Sequence, residues 1–182
     1  MELSFNFVQA VQDMVLKPDF TSAIIILWSS FLNELVAVFP YALVLSGQLL
    51  FLKGSFSIAF IAKLFVFVAV PVGVGTTLGT LPAYGLSYFG GKPAIEKFGK
   101  YFRLSWTDVE KVESKFRGVW YDEIIFLAIQ STPLLPFLPV SVAAGILRMH
   151  LLPYVVLTFT GATIRMMIMF AFVGLGAETL AQ

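Results

Sequence analysis

The chain has no cysteine and a single histidine, His150. Disulfide bonds and thiolate chemistry are therefore excluded, and one histidine cannot build a metal site of several histidines. Charged residues make up only 13% of the 182 residues and sum to a net charge of +1, which gives no indication of nucleic-acid binding. No pair of side chains in the apolar segments suits acid–base or nucleophilic catalysis. We therefore expect a protein that is not an enzyme and that uses no cofactor and no metal.

Apolar residues dominate the amino-acid composition. They make up 58% of the chain, and the mean hydropathy is +0.88, whereas a soluble domain is usually about 45–50% apolar. The runs 64–91 and 124–147 contain no charged residue, and each exceeds the roughly 20 residues that cross a membrane as a helix. The sequence therefore predicts an all-α membrane protein with several membrane segments in one domain, 20–182.

The first 19 residues have no basic start and no small-residue cleavage site, so we do not expect a signal peptide. Four apolar residues recur there at helical spacing: Leu3, Phe7, Ala10 and Met14. This spacing predicts a short helix over 1–19 that lies at the membrane interface. A frayed terminus is the alternative.

Three prolines interrupt the stretch 124–147, at Pro133, Pro136 and Pro139. Each proline lacks a backbone donor, clashes with the preceding turn and keeps the residue before it out of the α region. We therefore predict a re-entrant hairpin of two half-helices over 123–145. Broken backbone at membrane depth is tolerated where protein or a water-filled cavity surrounds it, and it often forms binding sites in transporters. A kinked span that only packs is the alternative.

An acidic residue, Glu34, separates two short apolar pieces, 20–33 and 35–52, and Pro40 interrupts the second. This pattern predicts a short span followed by a first re-entrant segment over 34–52. An ionisable residue inside a membrane indicates a functional site by default, so Glu34 is a candidate for proton coupling or for a counter-charge. The alternative is a solvated residue at the interface between two helices.

The long apolar segment 56–91 contains Pro71 and Pro82. It predicts a long, kinked helix or two abutting helices. Gly75 and Gly79 have the small-xxx-small spacing that lets two helix backbones approach closely, so packing is the default explanation for both.

The segment 92–123 carries seven of the chain's twelve Lys and Arg residues. The positive-inside rule places it in the cytoplasm, and we expect the cytoplasmic membrane of a prokaryote. An apolar stripe of Val109, Val112 and Phe116 predicts an amphipathic helix on the cytoplasmic face. Its basic residues form a solvated face or attract anionic lipid headgroups.

Arg165 falls near the middle of the last predicted span, 152–177. A cation there is costly and normally faces the protein interior or water. The residues on its helical face are small and leave room for a ligand: Thr158, Gly161 and Ala162. We therefore expect Arg165 to take part in function, and a structural ion pair with Glu34 is the alternative.

The C-terminal half of the chain resembles the DedA/VTT family of integral membrane proteins, also called the SNARE-associated-domain group. The match rests on Pro133, Pro136, Ala144-Gly145-x-x-Arg148-Met149, Tyr154, Gly161, Arg165, Gly174 and Gly176. Looser similarities in the N-terminal half are Glu34, Pro40, Gly47 and the stretch Tyr88-Phe89-Gly90-Gly91-Lys92.

The chain also departs from that family. Many members carry Arg-x-x-Pro-x-x-Arg in the second hairpin, where this chain has Gln130, Pro133 and Pro136. A second acidic residue after the first hairpin's proline is missing, and so is the acid before the Tyr-x-x-Gly motif. A mechanism built on the two hairpin arginines cannot be carried over to this chain.

The resemblance implies lipid movement between leaflets, because members are associated with translocation of polyprenyl phosphate or phospholipid, some of it proton-linked. We therefore predict a flippase or scramblase whose partners are membrane lipids, anionic phospholipid or polyprenyl phosphate, with a homo-oligomer left open. The predicted headgroup ligands are Arg165, Gln130, Ser131, Thr132 and Arg148, with proton coupling at Glu34. The predicted hairpin-shaping residues are Pro40, Pro133, Pro136, Pro139, Gly145 and Gly161. A secondary transporter of a small solute or ion, and an assembly protein without transport, are the alternatives.

Overall fold

The computed structural model describes residues 9, 11–36, 41–51, 57–98, 106–113, 122–133, 135 and 137–180. Within these residues the ordered elements are all helices, and none is a strand. Two of the helices, Ile58–Gly91 and Leu151–Gly174, are long and apolar enough to cross a membrane. The predicted all-helical fold is confirmed for the described residues, and the two long apolar helices fit the predicted membrane protein.

The helices are numbered in chain order. The first half contains α1 (Phe20–Val36), α2 (Tyr41–Gly47), a 3₁₀ turn (Gln48–Phe51), α3 (Ile58–Leu64), a π-helical stretch (Phe65–Ala69) and α4 (Val70–Phe98). The second half contains α5 (Trp106–Glu113), α6 (Asp122–Ser131), α7 (Phe137–Ile146) and α8 (Leu151–Leu180). α1 packs against α4, α4 packs against α7 and α8, and α6 packs against α8.

The described part of the N-terminal segment is helical over residues 11–16. Val15 is fully buried in a cluster with Ile26, Leu45 and Leu64. Met14 belongs to the predicted interfacial stripe and packs against the same cluster, whereas the other three stripe residues lie outside the described residues. The end of this segment therefore contributes to the core.

Helix α1 continues through Glu34 and ends at Val36, so the break that we predicted at Glu34 lies further along the chain. The reason is local, because no proline or glycine near Glu34 interrupts the backbone hydrogen bonds. Pro40 lies outside the described residues, and the first re-entrant segment, 34–52, stays a prediction.

The predicted kink near Pro71 takes the form of the π-helical stretch between α3 and α4. In a regular α-helix the ring of Pro71 would clash with the carbonyl of Phe67, four residues earlier. The wider spacing of a π-helix, shown by the hydrogen bond from the Val70 N–H to the Phe65 carbonyl, accommodates the proline without breaking the rod. Gly91, with φ of 57°, bends the chain where the apolar part of the rod ends, and glycine adopts this conformation at no steric cost.

The small-xxx-small spacing brings α4 against α1. A Cβ atom on Gly75 would lie 2.3 Å from the carbonyl oxygen of Leu27, and one on Gly79 would lie 2.7 Å from that of Phe31. Both glycines therefore allow close approach of two backbones, which confirms packing as their role.

The second hairpin breaks where the prolines predict. Helix α6 ends at Ser131 and α7 begins at Phe137, while Pro136 lies outside the described residues. Pro139 falls in the first turn of α7, where a backbone N–H has no partner within the helix. The broken helix is confirmed, and its re-entrant course belongs to the proposal below.

Helix α5 lies within the predicted amphipathic segment. Trp106 packs against a cluster that includes Ala83 and Leu138, so the start of this helix contacts the membrane domain. The predicted apolar stripe involves side chains outside the described residues, and the amphipathic character of the segment stays a prediction.

Candidate functional site

Arg165 lies halfway along α8 and reaches the proline turn between α6 and α7. Its Nη1 donates a hydrogen bond of 2.8 Å to the carbonyl oxygen of Leu135, and its Nη2 donates to the carbonyl oxygen of Pro133. The guanidinium carbon also lies 4.4 Å from the centre of the Phe137 ring, within the range of a cation–π contact. Arg165 therefore contacts the turn and the first residue of α7.

The composition of the turn explains why these carbonyls need an external donor. Prolines carry no N–H, so a turn rich in proline has more carbonyl acceptors than backbone donors. An unsatisfied backbone polar group in hydrocarbon costs several kcal/mol. In addition, a cation near the C-terminal end of α6 complements the negative end of the helix dipole. Arg165 thus stabilises the turn by donating to carbonyl groups that the backbone N–H groups of the turn cannot satisfy.

These two bonds leave part of the guanidinium free. Arginine has five N–H groups, and the described contacts use two of them. The Nε atom is buried and has no hydrogen-bond partner among the described residues. Arg165 can therefore hold the turn and still donate to an anionic ligand.

The alternative of a structural ion pair between Arg165 and Glu34 is not seen, because the described residues contain no contact of 4 Å or less between their charged atoms. The two charges interact only at longer range. Glu34 is half-buried and faces α4, since a Cβ atom on Gly79 would lie 2.7 Å from the Cβ of Glu34. The structure therefore places one acid and one base in the interior as separate charges.

Gln130 lies at the contact between α6 and α8 and is only 1% exposed. Its Nε2 donates a hydrogen bond of 3.3 Å to the hydroxyl of Thr158, while its Oε1 is buried without a partner among the described residues. A Cβ atom on Gly161 would lie 2.5 Å from the Cβ of Gln130. Gly161 therefore allows the end of α6 to approach α8, and its role in shaping the hairpin stays a prediction.

Ser131 and Thr132 stand at the end of α6 near Arg165. Their hydroxyls donate hydrogen bonds of 2.8 Å to the carbonyls of Leu127 and Ala128, respectively. We predicted that both hydroxyls would act as donors to a ligand, but these protons are already used within the helix. Towards a ligand the two hydroxyls offer acceptor lone pairs.

Arg148 is not brought to this site. It is exposed and adopts φ of 53° in the turn after α7, where hydrogen bonds from Arg148 N to Gly145 O and from Met149 N to Ala144 O form a Schellman-type ending. The ten residues of α7 separate this turn from the proline turn by about 15 Å. Gly145 allows α7 to approach α4, because a Cβ atom there would lie 2.5 Å from the carbonyl oxygen of Tyr84.

The interior also contains a row of polar side chains that we did not predict. We call it the polar seam, and it consists of Gln130, Thr158, Tyr154 and Thr80. The Tyr154 hydroxyl donates a 2.8 Å hydrogen bond to the Thr80 hydroxyl, which in turn donates to the carbonyl of Thr77 at 3.1 Å. The Tyr154 ring stacks on that of Tyr84, with centroids 4.1 Å apart. The signal that could have revealed this seam is one face of α8, where four residues share helical spacing: Tyr154, Thr158, Gly161 and Arg165.

The described residues contain no group of three or more His, Cys, Asp or Glu side chains that could hold a metal ion. The chemistry available at the candidate site is therefore one guanidinium, one carboxamide, one carboxyl group and several hydroxyls. Such a set can bind and orient a polar or anionic group.

Broken helices, long apolar spans and interior charges define a helical membrane protein with a polar interior. The VTT domain model matches residues 49–175, and the chain belongs to this family, also known as DedA. One curated relative is undecaprenyl phosphate transporter A of Bacillus subtilis strain 168, which is 29% identical over 102 residues. That match covers 56% of this chain and 50% of the relative, so the chain spans about half of the relative's length. No solved structure matches the chain.

Proposed function

We propose that this protein moves lipids with an anionic phosphate headgroup from one membrane leaflet to the other, without chemical change to the lipid. The observation that carries the proposal is the position of Arg165, halfway along a membrane-spanning helix with a buried N–H that has no partner among the described residues. A cation at that depth is costly unless it serves a ligand or a partner. Guanidinium groups bind phosphate oxygens through charge-assisted hydrogen bonds.

In the proposal the broken helices provide the path by which the headgroup crosses the membrane. In the proposal the segments 34–52 and 123–145 are re-entrant and enter from opposite faces, which thins the barrier between the leaflets. The guanidinium of Arg165 at the proline turn then offers a hydrogen-bond donor to the headgroup, while the acyl or prenyl tails stay in hydrocarbon. The energetic reason is that only the headgroup, and not the tails, needs polar surroundings during the crossing.

Glu34 is proposed as the counter-charge that makes release possible. It lies in the interior at long range from Arg165, so it does not block the guanidinium. Protonation of Glu34 on one side of the membrane and its deprotonation on the other would change the interior charge during a transport cycle. We propose that lipid movement is coupled to protons in this way.

The family supports this substrate class. The relative's name specifies a lipid phosphate, undecaprenyl phosphate. The similarity between the relative and this chain covers about half of the relative's length. We also propose that the protein resides in the cytoplasmic membrane with the basic segment 92–123 in the cytoplasm, where the positive-inside rule places it.

The test is lipid movement in reconstituted vesicles. Fluorescent versions of a polyprenyl phosphate, an anionic phospholipid and phosphatidylcholine are followed between leaflets at two pH values. We expect faster movement of the phosphate-bearing anionic lipids than of phosphatidylcholine, with a dependence on the pH gradient. Glu34→Gln should remove that dependence, and Glu34→Asp should retain it. Movement no faster than in empty vesicles would overturn the proposal and favour transport of a small solute or an assembly role.

A further inference from the structure

Two buried polar atoms at the contact between α6 and α8 lack hydrogen-bond partners among the described residues. One is an acceptor, Oε1 of Gln130, and the other is a donor, Nε of Arg165. An unsatisfied buried group costs roughly 1–3 kcal/mol, so each one in a native structure calls for an explanation such as a ligand or an ordered water. Here one unsatisfied atom is an acceptor and the other is a donor, so a ligand that both donates and accepts hydrogen bonds satisfies both.

Both atoms belong to one helix–helix contact. Gln130 packs over Gly161, and Arg165 follows Gly161 by four residues, or about 6 Å along α8. The order along α6 and the following turn is the same, because Pro133, three residues after Gln130, supplies the carbonyl that binds Arg165. The two residues are therefore about one helical turn apart along the same interface.

Both side chains are also held in place. The amide of Gln130 is tied to the hydroxyl of Thr158, and the guanidinium of Arg165 is tied to the proline turn. A ligand group that enters here meets polar atoms whose orientation is already fixed, which reduces the entropy that binding must overcome. Such fixed groups favour a ligand that offers an anionic oxygen to Arg165 and an O–H to Gln130.

We propose that Gln130 and Arg165 form a headgroup subsite that selects, among anionic phosphate headgroups, those that also carry a hydroxyl. The inference rests on the proposed function and deepens it. Arg165 attracts any phosphate through charge, so it cannot discriminate between anionic lipids. Gln130 discriminates, because its Oε1 stays buried and unpaired when the headgroup has no O–H to donate.

Two lipids of equal charge test the selection. Phosphatidylglycerol carries headgroup hydroxyls, whereas phosphatidylmethanol is the same phosphodiester anion without any O–H. We expect the reconstituted protein to move phosphatidylglycerol about threefold to tenfold faster, which corresponds to one neutral hydrogen bond. The variant Gln130→Met keeps the length of the side chain and removes the acceptor, and it should bring the two rates together.

Gln48→Met is the matched control. Gln48 also has a buried Oε1 without a described partner and an Nε2 that bonds within the chain, to the carbonyl of Val44, but it lies in the 3₁₀ turn after α2. This variant should leave the selection unchanged. The inference is overturned if Gln130→Met leaves the selection intact, if it slows both lipids equally, or if Gln48→Met abolishes the selection as well.

A binding measurement separates this inference from the proposed function. In detergent, dihexanoyl phosphatidylglycerol should raise the thermal unfolding temperature of the wild type more than dihexanoyl phosphatidylmethanol does, and Gln130→Met should remove the difference. That result supports the subsite even if no lipid moves in vesicles. The tail-free glycerophosphoglycerol should stabilise less than the lipid, and equal stabilisation would overturn a lipid as the source of the headgroup. Equal shifts with both lipids would overturn the subsite and leave ordered water as the partner of Gln130.

Discussion

The guanidinium of Arg165 donates a hydrogen bond of 2.8 Å to the backbone carbonyl of Leu135, thirty residues earlier in the chain. This bond joins the middle of the last span to the turn of the second hairpin. The one cation in the described part of α8 is therefore also a structural support for the backbone that the prolines interrupt. Substitutions of Arg165 report on both roles, because transport measures binding of the headgroup and the unfolding temperature measures support of the turn.

We expect Arg165→Lys to keep the charge but to lose much of the transport activity. A lysine ammonium is a point charge on a flexible stem, so it cannot reproduce the planar fork that binds two carbonyls and stacks on Phe137. Arg165→Met removes the charge as well and should abolish transport. Loss of both charge-assisted bonds should destabilise Arg165→Met by roughly 3–6 kcal/mol, and loss of one should destabilise Arg165→Lys by roughly 1.5–3 kcal/mol, measured as a lower thermal unfolding temperature in detergent.

Lys63→Met serves as a control for the loss of a basic residue, because Lys63 is exposed on α3. It should leave both the unfolding temperature and transport unchanged. Full transport activity in Arg165→Met would contradict the role of Arg165 in headgroup binding. An unchanged unfolding temperature in that variant would contradict its support of the turn.

Gly145→Ala should destabilise the fold through the contact between α7 and α4. The added Cβ atom would lie 2.5 Å from the carbonyl oxygen of Tyr84 and 2.9 Å from the backbone nitrogen of Tyr88, and backbone atoms cannot move aside as a side chain can. Overpacking of this kind costs about 1–3 kcal/mol, which corresponds to several degrees in unfolding temperature for a chain of this length.

Gly85→Ala is the matched substitution on α4. A Cβ atom at Gly85 meets nothing within 4 Å, and alanine is favoured over glycine within a helix by roughly 0.5–1 kcal/mol. This variant should therefore be neutral or slightly more stable. An equal loss of stability in both variants would show that close packing at Gly145 is not the cause.

The hydrogen bond between Tyr154 and Thr80 should be measurable in a double-mutant cycle. Tyr154→Phe removes the donor, and Thr80→Val removes the acceptor while keeping the shape of the side chain. We expect a coupling free energy of about 0.6 kcal/mol, the average found for hydrogen bonds between membrane helices. Strictly additive effects on the free energy of unfolding would show that the two hydroxyls do not interact.

Asp19 should have a pKa below its ordinary value of 3.8, because hydrogen bonds from the hydroxyl and then the backbone N–H of Ser22 stabilise the carboxylate. Asp19 caps the start of α1 in this way. Its contribution to stability is therefore present above the unfolded-state pKa and is lost as the pH falls through the folded-state pKa. An NMR titration of this carboxyl should show the lowered value.

Ser22→Ala should raise the pKa of Asp19 towards 3.8, because the hydroxyl donor is gone and the backbone donor remains. Thr21→Ala, which changes the neighbouring exposed side chain, should leave the pKa of Asp19 as it is. A pKa that stays the same in Ser22→Ala would contradict the hydroxyl as its main cause.

Local rules explain the parts of the fold that could be predicted from the sequence. The break over Pro133 and the distortion before Pro71 follow from the missing N–H and the ring of proline, which act within four residues. Similarly, the spacing of Gly75 and Gly79 predicts a close helix contact, because any two residues four apart share a helix face. The break that we predicted at Glu34 was misplaced by two residues: α1 ends at Val36, where the ring of Pro40, four residues later in the sequence, would clash with the Val36 carbonyl of a continuing helix.

The sequence by itself determined the class of this protein: an all-α membrane chain with broken helices, with an acid, Glu34, and a base, Arg165, within its apolar segments. The composition, the length of the segments without charge and the chemistry of proline are enough to predict this class, because each of them depends only on residues that are close together in the sequence. Only the tertiary structure decided the partners of these groups. Arg165 binds a turn thirty residues away and Tyr154 binds Thr80, seventy-four residues away, and such pairs depend on which helix faces meet when the helices pack.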